Sequence, residues 1–388
     1  MSEALEALGW NEHWAQAFSV CSCAHDPAII AGRVAREGRA GYRVLTAEGA
    51  FQARISGRLR HDAQERNAIP AVGDWVALRR GGGSQTTSRP VGHGRRVTHV
   101  AHASAALIEE IFPRRSSFSR KAVRAGGSHL GPGRTEEQVL AANIDTVFLV
   151  SGLNEEFRTR RIERYLAIAW DSGARPVIVL NKSDLCDDLA ARVAEVTPSA
   201  VNVPIHAMSA VSGDGISALD AYLALGQTVV FLGSSGVGKS SLINRLMGEE
   251  RQETQPLRAS GGRGRHVTTS REMFLLPRGA VLIDTPGLRE IQAWEDDTGL
   301  SQVFEDIETL AASCRFRDCR HDTEPGCAVK QAIAEGRLDA GRLVSYLKLQ
   351  QEAAVLAVRK SQRARMVYDP GGKRVRGGRD RLGPPTEK

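Results

Sequence analysis

The chain has 388 residues, of which 41% are hydrophobic, 25% charged and 5% aromatic. This length predicts two or three domains, with enough apolar residues for real cores. No secretion signal opens the chain and no apolar run approaches about 18 residues, so we expect a cytoplasmic protein without a membrane anchor. Six cysteines in that compartment indicate metal ligands or single thiols rather than disulfides.

Charge is distributed unevenly along the chain. The net charge is +7, but residues 1–135 carry +8 and residues 359–388 carry +7, while residues 136–358 carry −8. Basic ends attract polyanions through their electrostatic field. Either the two ends bind such a partner, or the pattern serves solubility beside a disordered basic tail over 359–388.

Residues 1–35 are predicted to form an N-terminal extension. The segment from Ala4 to Phe18 is amphipathic, which indicates a short helical piece. Cys21, Cys23 and His25 follow it. Structural zinc sites usually have a second ligand pair, so we favour incidental thiols here over a zinc site.

Residues 36–115 contain short runs that alternate apolar and polar residues between glycine turns. Runs begin at Gly41, Phe51, Val72 and Ala106, a spacing that predicts a small all-β barrel. Several arginines lie on or beside these runs: Arg43, Arg54, Arg58 and Arg60. They favour an oligonucleotide-binding (OB) fold, although an SH3-like barrel would give almost the same pattern. Residues 116–139 are predicted to be a linker.

From residue 140 to 305 the pattern changes to alternating strands and helices, which predicts an α/β domain with a parallel sheet. The predicted strands are Asp145–Val150, Pro176–Leu180, Val201–Ile205, Thr228–Leu232 and Ala280–Asp284, and the predicted helices are Arg160–Ala169, Asp188–Val196 and Ile216–Leu223. Polar segments follow four of these strands. Because the carboxyl ends of parallel strands open at one edge of a sheet, we expect these segments to share one cleft.

The segment after Leu232 reads Gly-x-x-x-x-Gly-Lys-Ser and leads into an amphipathic helix. Backbone N–H groups of such a loop surround phosphates, and the helix N-terminus adds partial positive charge. The predicted phosphate-binding residues are Gly233, Ser234, Ser235, Gly236, Val237, Gly238, Lys239, Ser240 and Ser241. Lys239 would reach the β- and γ-phosphates, and Ser240 would ligate Mg²⁺. The strand and helix on either side favour a nucleoside triphosphate site over a glycine turn without a ligand.

The segment after the second strand, residues 181–184, reads Asn-Lys-Ser-Asp. Asp184 can accept hydrogen bonds from the N1–H and 2-amino groups of guanine, which adenine lacks. Lys182 can lie along the base, and Asn181 can connect neighbouring loops. Taken alone, the string also fits a helix cap at Ser183 or Asp184.

Two further segments complete a nucleotide site. Ser209 and Ala210 follow the third strand and would present a backbone N–H to guanine O6. Asp284 begins the motif Asp-Thr-Pro-Gly after the last strand. Combined with the phosphate loop, these motifs predict GTP as the ligand.

A second constellation lies further along the chain, at Cys314, Cys319, His321 and Cys327. Three thiolates and one imidazole within 14 residues match a closed, tetrahedral structural zinc site. Four protein ligands leave no open position, which disfavours catalytic zinc. The surrounding residues 306–358 are predicted to form a zinc-binding helical domain, with one helical stretch over Val329–Val358.

These motifs occur in the order Asn-Lys-x-Asp, Ser-Ala, phosphate loop, threonine pair, Asp-x-x-Gly, which differs from ordinary small GTPases. The chain therefore resembles the circularly permuted GTPases and, with its barrel and cysteines, the ribosome-small-subunit-dependent GTPase A family. The resemblance implies an OB-fold barrel, a permuted GTPase domain and a zinc-binding C-terminal domain. It also implies GTP/GDP, Mg²⁺ and one structural Zn²⁺ as ligands. The implied role is subunit-stimulated GTP hydrolysis in late maturation of the small (30S) ribosomal subunit, with contacts to its 16S rRNA. We expect a monomer.

The resemblance also implies catalytic residues beyond Lys239. Asp284 would hold Mg²⁺ through water, and the N–H of Gly287 would sense the γ-phosphate. The family's switch pattern Gly-x-His-Thr-Thr is matched with a valine in place of its first threonine, so Thr268 is the predicted switch residue and Thr269 the alternative. Leu288 stands where many small GTPases have a water-orienting glutamine, which predicts slow intrinsic hydrolysis. His266 or the bound ribosome would supply the missing polar group.

Three alternatives remain open at this stage. An ATPase or kinase could use the same phosphate loop, although Asn181–Asp184 argues against it. A nucleotide-regulated RNA-binding module could lack significant catalysis, although Lys239 and Asp284 are both present. A site without the glutamine could also act as a pure binding switch.

Overall fold

The computed structural model describes residues 2–38, 41–63, 68–81, 106–123, 135–155, 157–248, 271–284 and 298–367. The chain begins with two short helices, α1 (Glu3–Glu6) and α2 (Glu12–Ser19). Leu8 and Trp14 are buried, and Trp10 packs edge-on against Trp75 at a centroid distance of 4.9 Å. This N-terminal segment therefore packs onto the next domain.

A closed five-stranded barrel follows. Its strands are β1 (Ile29–Gly38), β2 (Gly41–Thr46), β3 (Gly49–Ile55), β4 (Trp75–Arg79) and β5 (Ala106–Ile111). The order around the barrel is β1-β2-β3-β5-β4, and β4 pairs with β1 to close it. β3 and β5 are parallel, the other pairs are antiparallel, and a short helix, α3 (Gly57–Asp62), connects β3 to β4. This arrangement is consistent with the predicted OB fold.

The first barrel strand lies largely within residues 1–35, where only an extension was predicted. Ala31, Val34 and Ala35 on β1 are all buried, because one face of the strand lines the barrel and the other packs against neighbouring elements. A strand that is buried on both faces lacks the alternating pattern from which the other strands were predicted.

The predicted linker over residues 116–139 is wrong in its described part. Two antiparallel strands, β6 (Ser117–Val123) and β7 (Thr135–Ala142), form a separate ribbon there. Phe118 and Val139 are buried, and the N–H of Ala142 donates to the carbonyl of Val72 at 2.9 Å. The buried apolar residues lie near one end of the ribbon, whereas the middle of the segment is rich in glycine and arginine. That composition is typical of loops, which is why the sequence predicts a linker here.

The central domain is a mixed sheet covered by helices. Its strands are β8 (Thr146–Gly152), β9 (Arg175–Asn181), β10 (Ile205–Ala207), β11 (Thr228–Leu232), β12 (Glu272–Leu275) and β13 (Val281–Asp284), and its helices are α4 (Thr159–Asp171), α5 (Leu189–Val196) and α6 (Lys239–Met247). The spatial order is β10-β9-β8-β11-β13-β12, with only β12 antiparallel to its neighbour β13. The strand before the phosphate loop, β11, is central in space although three strands of the sheet precede it in the chain.

Two predicted elements of this domain differ in the structure. The strand expected over Val201–Ile205 is wrong except for its last residue, because Asn202 has a φ of +58° and forms a turn. The helix expected over Ile216–Leu223 is a 3₁₀ helix, Ile216–Tyr222. Two shorter 3₁₀ turns occupy Ser183–Leu185 and Thr197–Ser199.

The sheet is buried on both faces, which explains its continuous apolar strands. On β8, Val147 and Leu149 belong to one core and Phe148 and Val150 to the other. The sheet also continues into the barrel, because β12 pairs with β1 at Arg36 and Glu272. The barrel is thus attached directly to the edge of the central domain.

Between residues 298 and 367 the structure describes four helices: α7 (Thr298–Val303), α8 (Glu305–Ala311), α9 (Ala328–Ala334) and α10 (Ala340–Val367). The single helical stretch predicted over Val329–Val358 is divided in two at Gly336, whose φ is +71°. α7 packs closely on α4, since a side chain on Gly299 would meet the carbonyl oxygen of Ala167 at 2.4 Å. No helix in the ranges described above has the length and apolar character needed to span a bilayer.

Candidate nucleotide site and metal centre

The phosphate loop connects β11 to α6, as the sequence predicted. Gly236 and Gly238 have φ values of +82° and +94°, a region that favours glycine. The side chain of Lys239 is buried and its Nζ donates to the carbonyl oxygens of Gly233 (2.8 Å) and Ser234 (2.6 Å). The ammonium group therefore lies across the loop, where a phosphate held by the loop would meet it.

Asn181 joins three loops at the carboxyl edge of the sheet. It ends β9 and is 1% exposed. Its Nδ2 donates to the carbonyl of Val237 in the phosphate loop at 2.8 Å, and its Oδ1 accepts from the N–H of Ala210 at 2.9 Å. Asn181 therefore connects residues 181–184 and 209–210 to the phosphate loop, the kind of connection that the sequence suggested for this residue.

The close fit between these loops depends on small residues. A side chain on Gly238 would meet Nδ2 of Asn181 at 2.2 Å, and one on Gly233 would meet the carbonyl oxygen of Val150 at 2.4 Å. At distances under about 3.0 Å something must shift, here the Asn181 side chain in the first case and the backbone at Val150 in the second. Both glycines of the phosphate-loop motif therefore also determine how closely the neighbouring strands approach.

The segment Asn181–Asp184 turns sharply at Lys182, whose φ is +67°. The 3₁₀ turn that follows has no side-chain cap, and α5 is capped by Asp188, which accepts from the N–H of Ala191. The helix-cap interpretation of this segment is therefore wrong. Asp184 is exposed on the turn, free of the capping contact that would have occupied its carboxylate.

Asn154 is a residue of this edge that the sequence analysis missed. A side chain on Gly152 would lie 2.9 Å from its Oδ1 and 3.5 Å from Cδ of Lys182, so the two side chains flank the same glycine. Within the described residues, Asn154 Oδ1 is buried and has no hydrogen-bond partner. Buried acceptors are nearly always satisfied, so this atom fits a site that a bound ligand completes. The available signal was its position shortly after the predicted strand Asp145–Val150, at the edge where the other site residues were expected.

Arg161 was also missed. It lies in the first turn of α4, and its Nη1 donates to Ser234 Oγ in the phosphate loop at 3.0 Å. An exposed arginine in a run of arginines and threonine carries no motif, so only the folded structure reveals this contact.

The remaining predicted residues of the site are divided between described and undescribed parts of the chain. Ser209 is fully buried, and its Oγ accepts from the N–H of Ser212 at 3.1 Å. Asp284 ends β13 and is half-buried beside the phosphate-loop strand. The predicted switch and catalytic residues lie outside the described ranges: His266, Thr268, Thr269, Gly287 and Leu288.

The cysteine and histidine cluster is the second candidate site. The ligand atoms of Cys314, Cys319, His321 and Cys327 all lie within 4.8 Å of one another. The Sγ atoms of Cys314 and Cys327 are 3.9 Å apart, and His321 Nδ1 lies 3.7 Å and 3.4 Å from them. These four side chains could hold a metal ion.

Local structure brings the four ligands together. His321 has a φ of +59°, which turns the chain back between Cys319 and Cys327. Cys327 is the N-cap of α9, and its Sγ accepts from the N–H of Lys330 at 3.5 Å. The turn and the helix start therefore orient the imidazole and the last thiol toward the first two cysteines.

The thiols of the cluster differ in acidity. Burial acts to raise the pKa of Cys314, but hydrogen bonds from the backbone N–H groups of Val329 and Ala328 outweigh it and hold that pKa below its usual value. Desolvation raises the pKa of Cys319 to about 11, with a further contribution from the neighbouring thiols. A cation among them would favour the thiolate form of each.

Comparisons with known proteins agree with this geometry. The family model described as RsgA GTPase matches residues 111–294. A small ribosomal subunit biogenesis GTPase RsgA from Opitutus terrae is 46% identical over 356 residues, which cover 92% of this chain and 91% of that protein. A relative of the same description, RsgA 2 from Lactiplantibacillus plantarum, is 44% identical over 89% of this chain and 90% of its own length.

Two solved structures are similar in fold. The crystal structure of YjeQ from Thermotoga maritima has a TM-score of 0.57 and 25% identity, covering 84% of this chain and 99% of its own. YloQ, described as a circularly permuted GTPase, has a TM-score of 0.54 and 21% identity, covering 86% of this chain and 97% of its own. In each comparison the match extends across nearly the whole of the relative. On the sequence identities and their coverage, this chain belongs to the RsgA GTPase family.

Proposed function

We propose that this protein binds GTP with Mg²⁺, hydrolyses it, and acts in the biogenesis of the small ribosomal subunit, which stimulates the hydrolysis. The observation that carries the proposal is the pair of hydrogen bonds made by Asn181. They connect the phosphate loop at Val237 with the Ser209–Ala210 segment, so that a base and a triphosphate can be bound in the same cleft. The curated relatives share the description small ribosomal subunit biogenesis GTPase.

The proposed roles follow from chemistry at named atoms. Asp184 accepts hydrogen bonds from the N1–H and 2-amino groups of guanine, and the backbone N–H of Ala210 donates to guanine O6. Lys239 binds the β- and γ-phosphates. The hydroxyl of Ser240 ligates Mg²⁺ directly, and the carboxylate of Asp284 holds it through a water molecule. When bound, Mg²⁺ neutralises charge on the phosphates. The γ-phosphate is sensed by Gly287 and by Thr268 or Thr269, and His266 assists the attacking water.

Replacement of Asp184 by asparagine tests the guanine assignment. The change substitutes an N–H donor for a carboxylate oxygen, so it opposes the guanine 2-amino group and suits the carbonyl at C2 of xanthine. We expect GTP affinity to fall by roughly 100-fold or more and XTP affinity to rise. Fluorescent-nucleotide titration of GTP, XTP and ATP measures both changes.

Asp187→Asn is the matched control, since Asp187 is an exposed carboxylate three residues further on. It should leave all three affinities unchanged. Equal GTP binding by the Asp184→Asn variant and the unaltered protein would contradict the guanine assignment. Tight ATP binding by the unaltered protein would instead favour a phosphate-loop ATPase or kinase.

The partner is tested by GTP turnover with and without purified small subunits. Arg43, Arg54, Arg58 and Arg60 are exposed on β2, β3 and α3, which supports contact between the barrel and rRNA. We expect slow turnover of the protein alone, a large stimulation by subunits, and loss of that stimulation as salt rises, because phosphate contacts release counterions. Equal turnover in both conditions would contradict the proposal.

The catalytic role of His266 needs its own test. His266→Ala should abolish most of the subunit-stimulated turnover while GTP affinity stays the same. Intact stimulated turnover in this variant would assign the water-orienting group to the ribosome instead.

The metal that fits the Cys₃His cluster is Zn²⁺. Ligand atoms on a tetrahedral zinc ion with these donors are separated by about 3.5–3.8 Å. The three separations among Cys314 Sγ, His321 Nδ1 and Cys327 Sγ run from 3.4 to 3.9 Å. Three thiolates and one imidazole leave no open position, which supports a structural role.

The proposed function assigns a role to each domain: residues 36–115 contact rRNA, residues 140–305 hydrolyse GTP, and residues 306–358 bind zinc. The proposed site of action is the cytoplasm, and the proposed state is a monomer.

A further inference from the structure

A second cluster of metal-type ligands lies at the junction of the N-terminal segment and the barrel. Cys21 and Cys23 follow α2, and their Sγ atoms are 3.5 Å apart. Glu110 lies on β5 of the barrel, 87 residues after Cys23 in the chain. Its carboxylate oxygen and the two Sγ atoms all lie within 4.8 Å of one another. His25, which the sequence places nearby, is exposed and does not belong to this cluster.

The carboxylate of Glu110 is oriented by hydrogen bonds from the residue between the two cysteines. The backbone N–H and the hydroxyl of Ser22 both donate to Glu110 Oε2, at 3.1 Å and 2.7 Å. Carboxylates that ligate metals are commonly held by such additional hydrogen bonds, which direct the remaining lone pairs toward the ion. The Cys-Ser-Cys turn therefore carries two ligands and the group that orients the third.

Glu110 and its neighbour Glu109 differ in their charged partners. Across the parts of the chain that the structure covers, no lysine or arginine pairs with Glu110. Its neighbour Glu109, by contrast, accepts from Nε of Arg79 at 2.7 Å, and the same arginine binds Asp26 at 2.6 Å. Within the described ranges, Glu110 is thus the carboxylate of this pair without a cationic partner, and it faces the two thiols.

Contacts on either side of the two cysteines hold the segment that carries them. Cys21 is buried in the core, and its backbone N–H donates to the carbonyl of Phe18 at 3.2 Å. The contact between Arg79 and Asp26 holds the following residues against β4. These contacts fix the position of the Cys-Ser-Cys turn against the barrel.

We propose that Cys21, Cys23 and Glu110 form a second metal site, which takes a thiophilic divalent cation of the zinc class. The 3.5 Å separation of the two sulfur atoms is close to the separation of about 3.8 Å between thiolates on tetrahedral zinc. Cys23 and Glu110 are half-buried, so solvent supplies the fourth ligand. The metal fastens the segment after α2 to β5 of the barrel.

That connection matters because the residues just before α2, at the other end of the same helix, contact both neighbouring domains. The carbonyl of Leu8 accepts from the buried guanidinium of Arg33 on β1, and Gly9 packs on the backbone of Gly226 in the central domain. A metal between Cys21, Cys23 and Glu110 would therefore stiffen the junction between the barrel and the central domain.

Metal content of the full-length protein tests the proposal. After exchange into zinc and removal of loosely bound metal, we expect about two zinc ions per chain, of which Cys319→Ser removes the C-terminal one. Cys23→Ser should also reduce the content by one, and Cys186→Ser, at a half-buried thiol outside both clusters, should leave it unchanged.

Two adjacent carboxylates provide a matched pair that conserves shape. Glu110→Gln keeps an oxygen to accept from Ser22 but lacks the charge, so zinc affinity of the second site should fall roughly tenfold or more. Glu109→Gln on the same strand should leave it unchanged. Co²⁺ titration gives an independent signal, since a sulfur-to-cobalt charge-transfer band should develop in two steps in the unaltered protein and in one step in Cys23→Ser.

A zinc content of one per chain that Cys319→Ser abolishes and Cys23→Ser leaves unchanged would overturn the proposal. So would equal Co²⁺ titrations of the Glu110→Gln and Glu109→Gln variants. These glutamine variants also keep the test valid if Cys23→Ser fails to fold.

Discussion

The nucleotide site and the Cys₃His cluster are assembled in opposite ways. Residues that meet at the nucleotide site come from separate strand ends, and Asn181, Ala210 and Val237 are joined only because β9, β10 and β11 share one sheet. The four ligands of the Cys₃His cluster lie within 14 residues and are oriented by a turn at His321 and the start of α9. The first site therefore depends on the tertiary fold, and the second depends on local structure.

A buried polar network links these two regions. Arg342, on α10, donates to Glu163 on α4 at 3.0 Å and to Asp306 on α8 at 2.7 Å. Ser345 and Ser199 complete the shell of Glu163, with hydroxyl contacts of 2.6 Å and 2.9 Å. Arg342 also stacks over the ring of Phe304 at 4.8 Å. The helical domain is thus connected to the central domain by a charge pair that has little access to solvent.

Removal of the metal should have the largest effect. Structural zinc contributes roughly 10 kcal/mol or more of apparent binding free energy to small zinc-binding folds. A strong chelator, or Cys319→Ser, should therefore lower the melting temperature and the helical circular dichroism signal that α9 contributes. GTP affinity should change by less than about threefold if the nucleotide site is held by the sheet alone.

Cys186→Ser is the control for that experiment, since this thiol is outside both clusters. A large loss of GTP affinity on chelation would show that the two regions are not independent. Unchanged melting would contradict a structural metal.

The link between the regions is tested by Arg342→Ala. Glu163 is 4% exposed, so the change leaves a buried carboxylate without its cation and should lower the free energy of unfolding by about 3–5 kcal/mol. Urea denaturation measures this loss. The double variant Arg342→Ala with Glu163→Gln should recover much of it, because no buried charge remains unpaired.

An exposed pair provides the comparison for Arg342. Arg337 contacts Glu335 on the surface, and Arg337→Ala should barely change the unfolding transition. Equal effects of the two arginine substitutions would mean that burial of the Arg342 network is not what stabilises the domain contact.

Asn181→Ala should weaken the nucleotide site while leaving the metal cluster intact. The change leaves the Val237 carbonyl and the Ala210 N–H without their partner in a buried position, where an unsatisfied group costs about 1–3 kcal/mol. We expect GTP affinity to fall by roughly 10- to 100-fold, measured by titration. Asn181→Asp keeps an acceptor for Ala210, but it places a carboxylate oxygen against the Val237 carbonyl and adds a negative charge beside the phosphate loop. It should therefore lower GTP affinity at least as much as Asn181→Ala, and a smaller loss would contradict the role of the Val237 contact.

Arg161→Ala should have the smallest effect. Its hydrogen bond to Ser234 Oγ lies at the surface, where water replaces the lost donor, so GTP affinity should change by less than about threefold. A loss as large as that of Asn181→Ala would mean that the arginine contacts the nucleotide itself. Turnover and affinity measured together distinguish these outcomes.

The family could be predicted from the sequence because its signal is local. The phosphate loop, the Asn181–Asp184 segment and the Cys₃His spacing each require only a few neighbouring residues, and the family they indicate is confirmed by the relatives. The sequence predicts a linker where the ribbon of β6 and β7 lies. Phe118 and Val139 of the ribbon are buried against other elements, and such contacts are not visible in a local pattern. The roles of His266, Thr268 and Gly287 stay predictions, as these residues lie outside the described ranges.

The sequence by itself determined the chemistry of the motifs, their permuted order and the local turns that carry them, because each is encoded within a few consecutive residues. Only the tertiary structure decided that Asn181 joins the phosphate loop to Ala210, that Glu110 reaches Cys21 and Cys23, and that Arg342 meets Glu163. The physical reason is that these contacts join residues far apart in the chain. Their distances depend on strand order, barrel closure and helix packing, none of which a local pattern of residues specifies.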